Sequence, residues 1–317
     1  MIRSIKNWLL QLWGLPRQLK VIEHLLRETQ QTLEFEAVAS GKLLSKQFGQ
    51  AKNIKSLEEV EFKIFSQWGD DGIIQYLITH LAPLEKSFLD FGVADYSESN
   101  TRFLLFNNNW SGVVFDSSLD NINKIQNSNY YWKYDLTARH IFATTQNINQ
   151  EILESGLSGQ IGLLNIDIDG NDYWIWQALD VIDPVIVIME YNSGFGERQA
   201  LTIPYRPDFD RRRAHYSGLY FGASLAALYK LSRDKGYVFV GSNSAGNNAY
   251  FVKQSHYKES FPNPTVGEGF IKSKFRETRD ENFQLTYVGG KNRANILKDM
   301  PLVNVETGLT EKFQPTQ

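Results

Sequence analysis

The chain has no cysteine among its 317 residues. That excludes disulfides, cysteine-ligated zinc and a thiol nucleophile, and it fits a reducing compartment such as the cytoplasm. There is also no charge of one sign to speak of. The 33 Lys+Arg and 36 Asp+Glu leave −3, so no global basic field points to nucleic acid. No stretch reaches the ~20 continuous apolar residues of a spanning helix. The first residues lack a small-residue cleavage site, so a secretory signal is not expected. What remains, 42% apolar and 22% charged residues, describes a globular protein with a real core.

Residues 1–55 read as a helical extension. Ile2, Ile5, Leu9 and Leu12 fall at helical spacing beside Trp8 and Trp13 and among Arg3, Lys6, Arg17 and Lys20. A basic, tryptophan-bearing helix of this kind suits either a membrane surface or a partner subunit. The pattern continues through Ile22, Leu26, Leu33 and Val38, as a coiled-coil arm or a helical layer would. A homo-oligomeric contact through residues 1–50, or peripheral membrane contact, is the expectation. "GQAKNIKSLEEV" reads as a linker.

From residue 56 to 255 short apolar runs alternate with helical segments. Strands are expected at "KSFLDFGV", "GVVFDSS", "YYWKYDL", "IGLLNID" and "PVIVIMEYN", with helices between them, including "TARHIFATTQNINQEILESG". A helix with its stop at Gly236 follows, and then a hairpin, "YVFVGSN" to "NAYFVKQ". This alternation predicts a doubly wound, Rossmann-like α/β fold with a mostly parallel sheet and an antiparallel last strand. Residues 256–317 read as a less regular C-terminal extension.

Ligands of such sheets sit at the carboxyl ends of the strands. Those ends are expected to carry Asp90-Phe-Gly92, Asp116, Asp135, Asp167-Ile-Asp169 and Glu190-Tyr-Asn192. A dinucleotide needs several glycines in the first turn. Here "FGVADYSESN" has only Gly92, with Ala94 and Tyr96 beyond it and acids around it. A pyrophosphate is disfavoured, and a cationic cofactor without phosphate, S-adenosylmethionine, is favoured. Asp116 lies near the ~20-residue offset at which an acid meets ribose hydroxyls.

The motifs "SQWGDDGII", "FLDFGVADYSESNTRFLLFNNNWSGVVFD", "LLNIDIDGNDYWIWQAL", "VIVIMEYN", "FGASLAALYKLSRDKGYVFV" and "NAYFVK" occur in that order between about residues 60 and 255. On them the chain resembles the FkbM-like group of class I S-adenosylmethionine-dependent methyltransferases, in particular bacterial members met in polysaccharide biosynthesis. The resemblance implies a seven-stranded sheet and in-line O-methyl transfer to a sugar or glycan acceptor. It implies Asp90 and Gly92 beside the methionine moiety and Asp116 on the ribose. Asp135 and the Leu136 amide would meet the adenine edge. The chain departs from the pattern at Ala94 and Tyr96, where glycine is usual.

Asp167, Asp169, Glu190 and Asn192 make an oxygen-ligand set for Mg²⁺ or another divalent cation. Without metal, Asp167, Asp169 or Glu190 would be the general base. Asn171 and Asp172 read as the start of a helix. His215 is the histidine of a long connection, residues 197–222, that carries Arg206, Arg211, Arg212 and Arg213 with Tyr205, Tyr216 and Tyr220. Arginine suits anions and flat rings suit sugars, so a phosphorylated or acidic acceptor is expected. Two competing readings are a metal-dependent nucleotide-sugar glycosyltransferase using Asp167-Ile-Asp169 and a scaffold subunit whose altered turn has closed the pocket.

Overall fold

The computed structural model describes residues 2–315, with the side chains of residues 2–15, Arg17 and Lys291 outside the described set. The features expected of Trp8, Trp13 and their apolar neighbours therefore lie outside it. α1 (Ile2–Phe48) is one long helix that carries Pro16 within it. Leu19, Ile22, Leu26, Thr29 and Leu33 step along it by three and four, the spacing of a coiled-coil seam. All four apolar members are more than half exposed. The C-terminal part meets the domain, through the Glu34–Arg102 ion pair and through Val38, Leu44 and Phe48 packed beside Phe62, Phe65 and Phe103. No helix is long and apolar enough to cross a membrane, among the described residues.

The segment expected as a linker is packed. Ile54, Leu57 and Val60 are buried, and a 3-10 turn at Leu57–Val60 starts with a Ser56–Glu59 capping box. α2 (Asp70–Leu81) follows. The sheet then alternates with helices: β1 (Ser87–Phe91), α3 (Arg102–Asn108), β2 (Ser111–Asp116), α4 (Leu119–Gln126), β3 (Leu136–His140), α5 (Ile148–Glu154), β4 (Gly159–Ile166), α6 (Asp172–Ala178) and β5 (Ile182–Glu190). After a two-residue strand β6 (Leu201–Thr202) and α7 (Arg211–Ala214) come α8 (Leu225–Asp234), β7 (Tyr237–Ser242) and β8 (Asn248–Lys253). The seven-stranded sheet has the order β3-β2-β1-β4-β5-β8-β7. β8 runs antiparallel between β5 and β7, and the other pairs are parallel. The expected Rossmann-like architecture is present, the hairpin placing its final strand inside the sheet.

Central strands β4 and β5 are buried on both faces, as continuous apolar runs require. Phe88, Leu163, Ile186, Ile188 and Tyr250 face the α2–α3–α4 side. Leu89, Leu164, Val187, Met189 and Phe251 face α5, α6 and α8. α8 is fixed at its start by Ser224, whose hydroxyl accepts from the Ala227 amide, and is followed by Gly236 at φ +80°.

One strand sits elsewhere than expected. "YYWKYD" forms no strand, and the third strand is "LTARH", whose last four residues read from sequence as the start of a helix. β3 is the sheet's edge, so only Leu136 and Ala138 are buried, and its polar residues blur the strand pattern. The aromatic run instead packs beside α3, with Phe106 stacked on Tyr134.

The C-terminal residues carry four short elements. α9 (Val266–Gly269), α10 (Lys291–Asn295), β9 (Pro301–Asn304) and β10 (Thr310–Lys312) follow β8. β9 pairs with β10 and with β6, so the extension and the long 197–222 connection form one small sheet. Its core joins Leu201, Ile203, Phe209 and Phe221 to Leu297, Leu302 and Phe313.

Candidate active site

A cavity of about 550 Å³ opens at the carboxyl ends of β1, β2, β3 and β4. Its wall includes Gly92, Ala94, Phe115, Asp116, Ser118, Asn121, Ile141, Phe142, Asp167, Asp169 and, from the long connection, Phe209, Arg211 and Arg212.

The turn after β1 explains why one glycine suffices. Gly92, Ala94 and Tyr96 all take positive φ, at +76°, +49° and +62°. Gly92 cannot be replaced, because a Cβ there would lie 1.6 Å from the Asp167 carbonyl oxygen. Ala94 and Tyr96 accept left-handed backbone at a cost of order 1–3 kcal/mol each. Burial of Tyr96 and a 3.0 Å contact between its hydroxyl and Thr101 help hold the turn. The turn thus keeps a glycine-type path without the glycines, and the cavity beside it is open rather than filled by side chains.

Asp90 lies outside the cavity wall. Its carboxylate is buried and accepts from Ser99 Oγ (2.8 Å), Thr101 Oγ1 (2.7 Å) and Asn165 Nδ2 (2.7 Å). Burial still pushes its pKa up to about 6. This placement corrects the expectation of direct contact with a cofactor: Asp90 ties the start of α3 to the sheet.

Asp116 does face the cavity. Its Oδ2 accepts from the Ala94 amide (2.8 Å), and its Oδ1 from the Ser118 amide (2.8 Å) and Asn121 Nδ2 (3.1 Å). A carboxylate has about four acceptor sites, so capacity remains on Oδ2.

Asp135 and Leu136 are at the wrong end of the sheet for the adenine role. Because β3 begins at Leu136, they lie at its amino end, where the Asp135 carbonyl accepts from the Gly112 amide (2.9 Å). The cavity meets β3 at Ile141 and Phe142 instead, an apolar lining that the strand misplacement concealed. Four of the five expected acidic strand ends survive; β3 ends in His140.

Asp167, Asp169 and Glu190 converge, with one carboxylate oxygen from each lying within 4.8 Å of the others. Asp169 leaves the strand direction at φ +54° and pairs with Arg211. Asp167 and Glu190 are hydrogen-bonded to each other, and burial first, then neighbouring carboxylate charge (Asp169 on Asp167, Asp167 on Glu190), pushes both well above the usual carboxylate range. Both groups therefore hold a proton more readily than a free carboxylate does. One Glu190 oxygen, Oε2, is buried without a partner.

Asn192 is not a ligand in this arrangement. Its Nδ2 donates to the Leu219 (2.8 Å) and Phe221 (3.0 Å) carbonyls, and its Oδ1 accepts from the Gly194 amide (3.0 Å). It anchors the long connection, so the metal role expected of it is corrected. Asp172 is structural as expected, accepting from the Ile168 and Gly170 amides, both at 2.8 Å. Asn171 stands at the helix start but makes no cap there; its amide donates to the Arg206 carbonyl (2.7 Å).

The arginines divide. Arg206 and Arg213 pair on the surface with Asp208 and Asp210. Arg211 crosses to Asp169, stacks on Phe221 at 4.6 Å and donates to the Gly218 carbonyl (3.1 Å). Its convergence with the acids was invisible in sequence, where 42 residues separate it from Asp169. His215 is outside the cavity wall, held to Ser217 Oγ at 2.7 Å. Tyr220 is buried, bonded to the Pro301 carbonyl, and cannot serve as an open sugar platform.

No family model and no curated protein matches the sequence. Among solved structures the chain is similar to an O-methyltransferase from Bacillus cereus in complex with SAH: 14% identity, TM-score 0.38, covering 69% of this chain and 91% of that one. It is also similar to an S-adenosylmethionine-dependent methyltransferase from Clostridium acetobutylicum, at 9% identity and TM-score 0.37, covering 58% and 90%. Likenesses this slight add nothing to the strand order given above.

Proposed function

We propose that the protein is an S-adenosylmethionine-dependent O-methyltransferase of the FkbM-like kind, acting on a hydroxyl of a sugar or glycan-type acceptor. One observation carries the reading: a single cavity joins the bare Gly92 turn and Asp116 at one side to Asp167 at the other. Its volume falls within the ~300–1,000 Å³ usual for small-molecule sites. The donor set fits the cofactor. Asp116 has acceptor capacity left for a ribose hydroxyl, Phe115, Ile141 and Phe142 offer an apolar wall to adenine, and carboxylates suit the ammonium and sulfonium. Bound there, S-adenosylmethionine would supply an electrophilic methyl group.

The protein's own part is to take the acceptor's proton. An alcohol is a poor nucleophile at neutral pH, and a carboxyl pair whose affinity for protons is raised is a better base than a free carboxylate. Asp167 or Glu190 fills that role. Mg²⁺ or another divalent cation on Asp167, Asp169 and Glu190 is the variant reading, and activity surviving EDTA dialysis with no metal by elemental analysis would remove it.

Calorimetry with S-adenosylhomocysteine and with UDP-sugars is the decisive experiment. Micromolar-class binding of the first alone is expected; binding of UDP-sugars alone would transfer the site to the glycosyltransferase reading, and binding of neither to the scaffold. The exposed seam of Leu19, Ile22, Leu26 and Leu33 supports self-association through α1. Light scattering should then show an oligomer that Leu26→Glu dissociates.

A further inference from the structure

The turn after β1 borders two cavities. Gly92 and Ala94 line the one described above. Asp95 and Ser97 line a second, of about 450 Å³, together with Arg27, Gln30, Gln31 and Glu34 of α1. Arg102, the first residue of α3, also lines this second cavity, yet it is only 5% exposed.

The Arg102 guanidinium lies against three rings, 4.3 Å from Phe65, 5.1 Å from Phe106 and 5.1 Å from Tyr130. Its Nη1 donates to the Ser97 carbonyl (3.0 Å) and its Nη2 to Glu34 Oε1 (3.2 Å). Its Nε is buried without a partner. Among the described residues Glu34 is the one carboxylate paired with Arg102. A buried guanidinium depends on such a partner, because removing it leaves the charge uncompensated. The carbonyl that Arg102 holds follows Tyr96, whose φ is +62°. Left-handed backbone at a residue other than glycine persists only where its surroundings over-determine it. The Tyr96 ring also lies 6.3 Å from Tyr130, so the cage around Arg102 meets the turn twice. At Ala94 the same turn gives its amide to Asp116 (2.8 Å).

We propose that Arg102 is a positioning residue for the cofactor and that Glu34 makes α1 a brace for the turn on which the cofactor rests. Glu34 holds the guanidinium, the guanidinium holds the Ser97 carbonyl, and the turn so held keeps Gly92 and Ala94 in the cavity wall. Neither Glu34 nor Arg102 is part of that wall, so both act through the turn. This role rests on the methyltransferase reading, which puts the cofactor against Gly92 and Ala94. It gives the helical extension a function within its own chain: the docking of α1 and the affinity for cofactor are linked, and the link is reciprocal.

The test is calorimetry with S-adenosylhomocysteine beside amide hydrogen exchange, on the full chain and its Glu34 variants. Glu34→Ala should weaken binding by about three- to ten-fold, the scale of substitutions that reach a site without touching it. It should also speed exchange in residues 93–101 while leaving β4 and β5 protected. Glu34→Gln keeps an oxygen for Nη2 without the charge. It should recover part of both effects, and it carries both readouts if Glu34→Ala does not fold. A Glu34 that serves only to dock α1 would loosen residues 30–38 and leave the turn and the affinity as they were. That result overturns the positioning role, and so does a change in only one of the two readouts. If the wild type binds no S-adenosylhomocysteine, the methyltransferase reading fails, and exchange in residues 93–101 alone then decides whether α1 braces the turn.

Discussion

Asp116 and the Asp167–Glu190 pair occupy equivalent places, at or one residue beyond the carboxyl ends of parallel strands, yet their surroundings differ. Asp116 is surrounded by donors, accepting two backbone amides and one side-chain amide. Asp167 and Glu190 have chiefly each other, and one Glu190 oxygen has nothing. Strand-end position alone therefore does not assign a role to an acid. The donors around it decide whether it is a fixed acceptor or a proton store.

Removing one member of the pair should have the largest effect. Glu190→Gln should lower kcat by roughly 10²–10⁴ while leaving S-adenosylhomocysteine affinity unchanged. A change in cofactor affinity with kcat intact would break the contrast.

Asp90 is an intermediate case, buried like the pair but fed by three donors, and its pKa of about 6 is raised from 3.8. A raised folded-state value means stability that is present below the unfolded pKa and is lost as pH rises through about 6. Asp90→Asn removes that ionisation. Relative to wild type the variant should gain stability between pH 4 and pH 7, by up to about 3 kcal/mol. Urea titrations at the two pH values measure it, and a pH-independent difference would remove Asp90 from the comparison.

Asp116→Ala should weaken S-adenosylhomocysteine binding by about ten- to a hundred-fold, partly because the Ala94 and Ser118 amides lose their acceptor. Unchanged affinity by calorimetry would take Asp116 out of the cofactor site. The smallest expected effect is at Ala94. Glycine there relieves the φ of +49° and should raise stability by no more than about 1 kcal/mol, read as a small rise in Tm.

Patterning made most of the sheet legible. Continuous apolar runs located β4 and β5, and Gly92, Gly236 and the 244–247 turn marked the ends of β1, α8 and β7. β3 was not legible, because an edge strand needs only one or two buried residues, and "LTARH" shows two against a neighbouring run rich in aromatics. That one misplacement carried Asp135 and Leu136 into the site and kept Ile141 and Phe142 out of it. Asn192 failed for a different reason. Its position was right, but an amide can be consumed by backbone groups that come from 27 and 29 residues away.

Local chemistry settled what depends on neighbours in the chain: which apolar runs are central strands, and that Asp172 opens a helix. The sequence also placed acids at the strand ends. Only the tertiary structure decided their chemistry, because burial and donors are set by elements far apart in the chain. Arg211 reaches Asp169, Asn165 reaches Asp90, and Glu190 meets Asp167 across a strand pair. A carboxylate's proton affinity follows from those partners and from lost water, neither of which is written in the residues beside it.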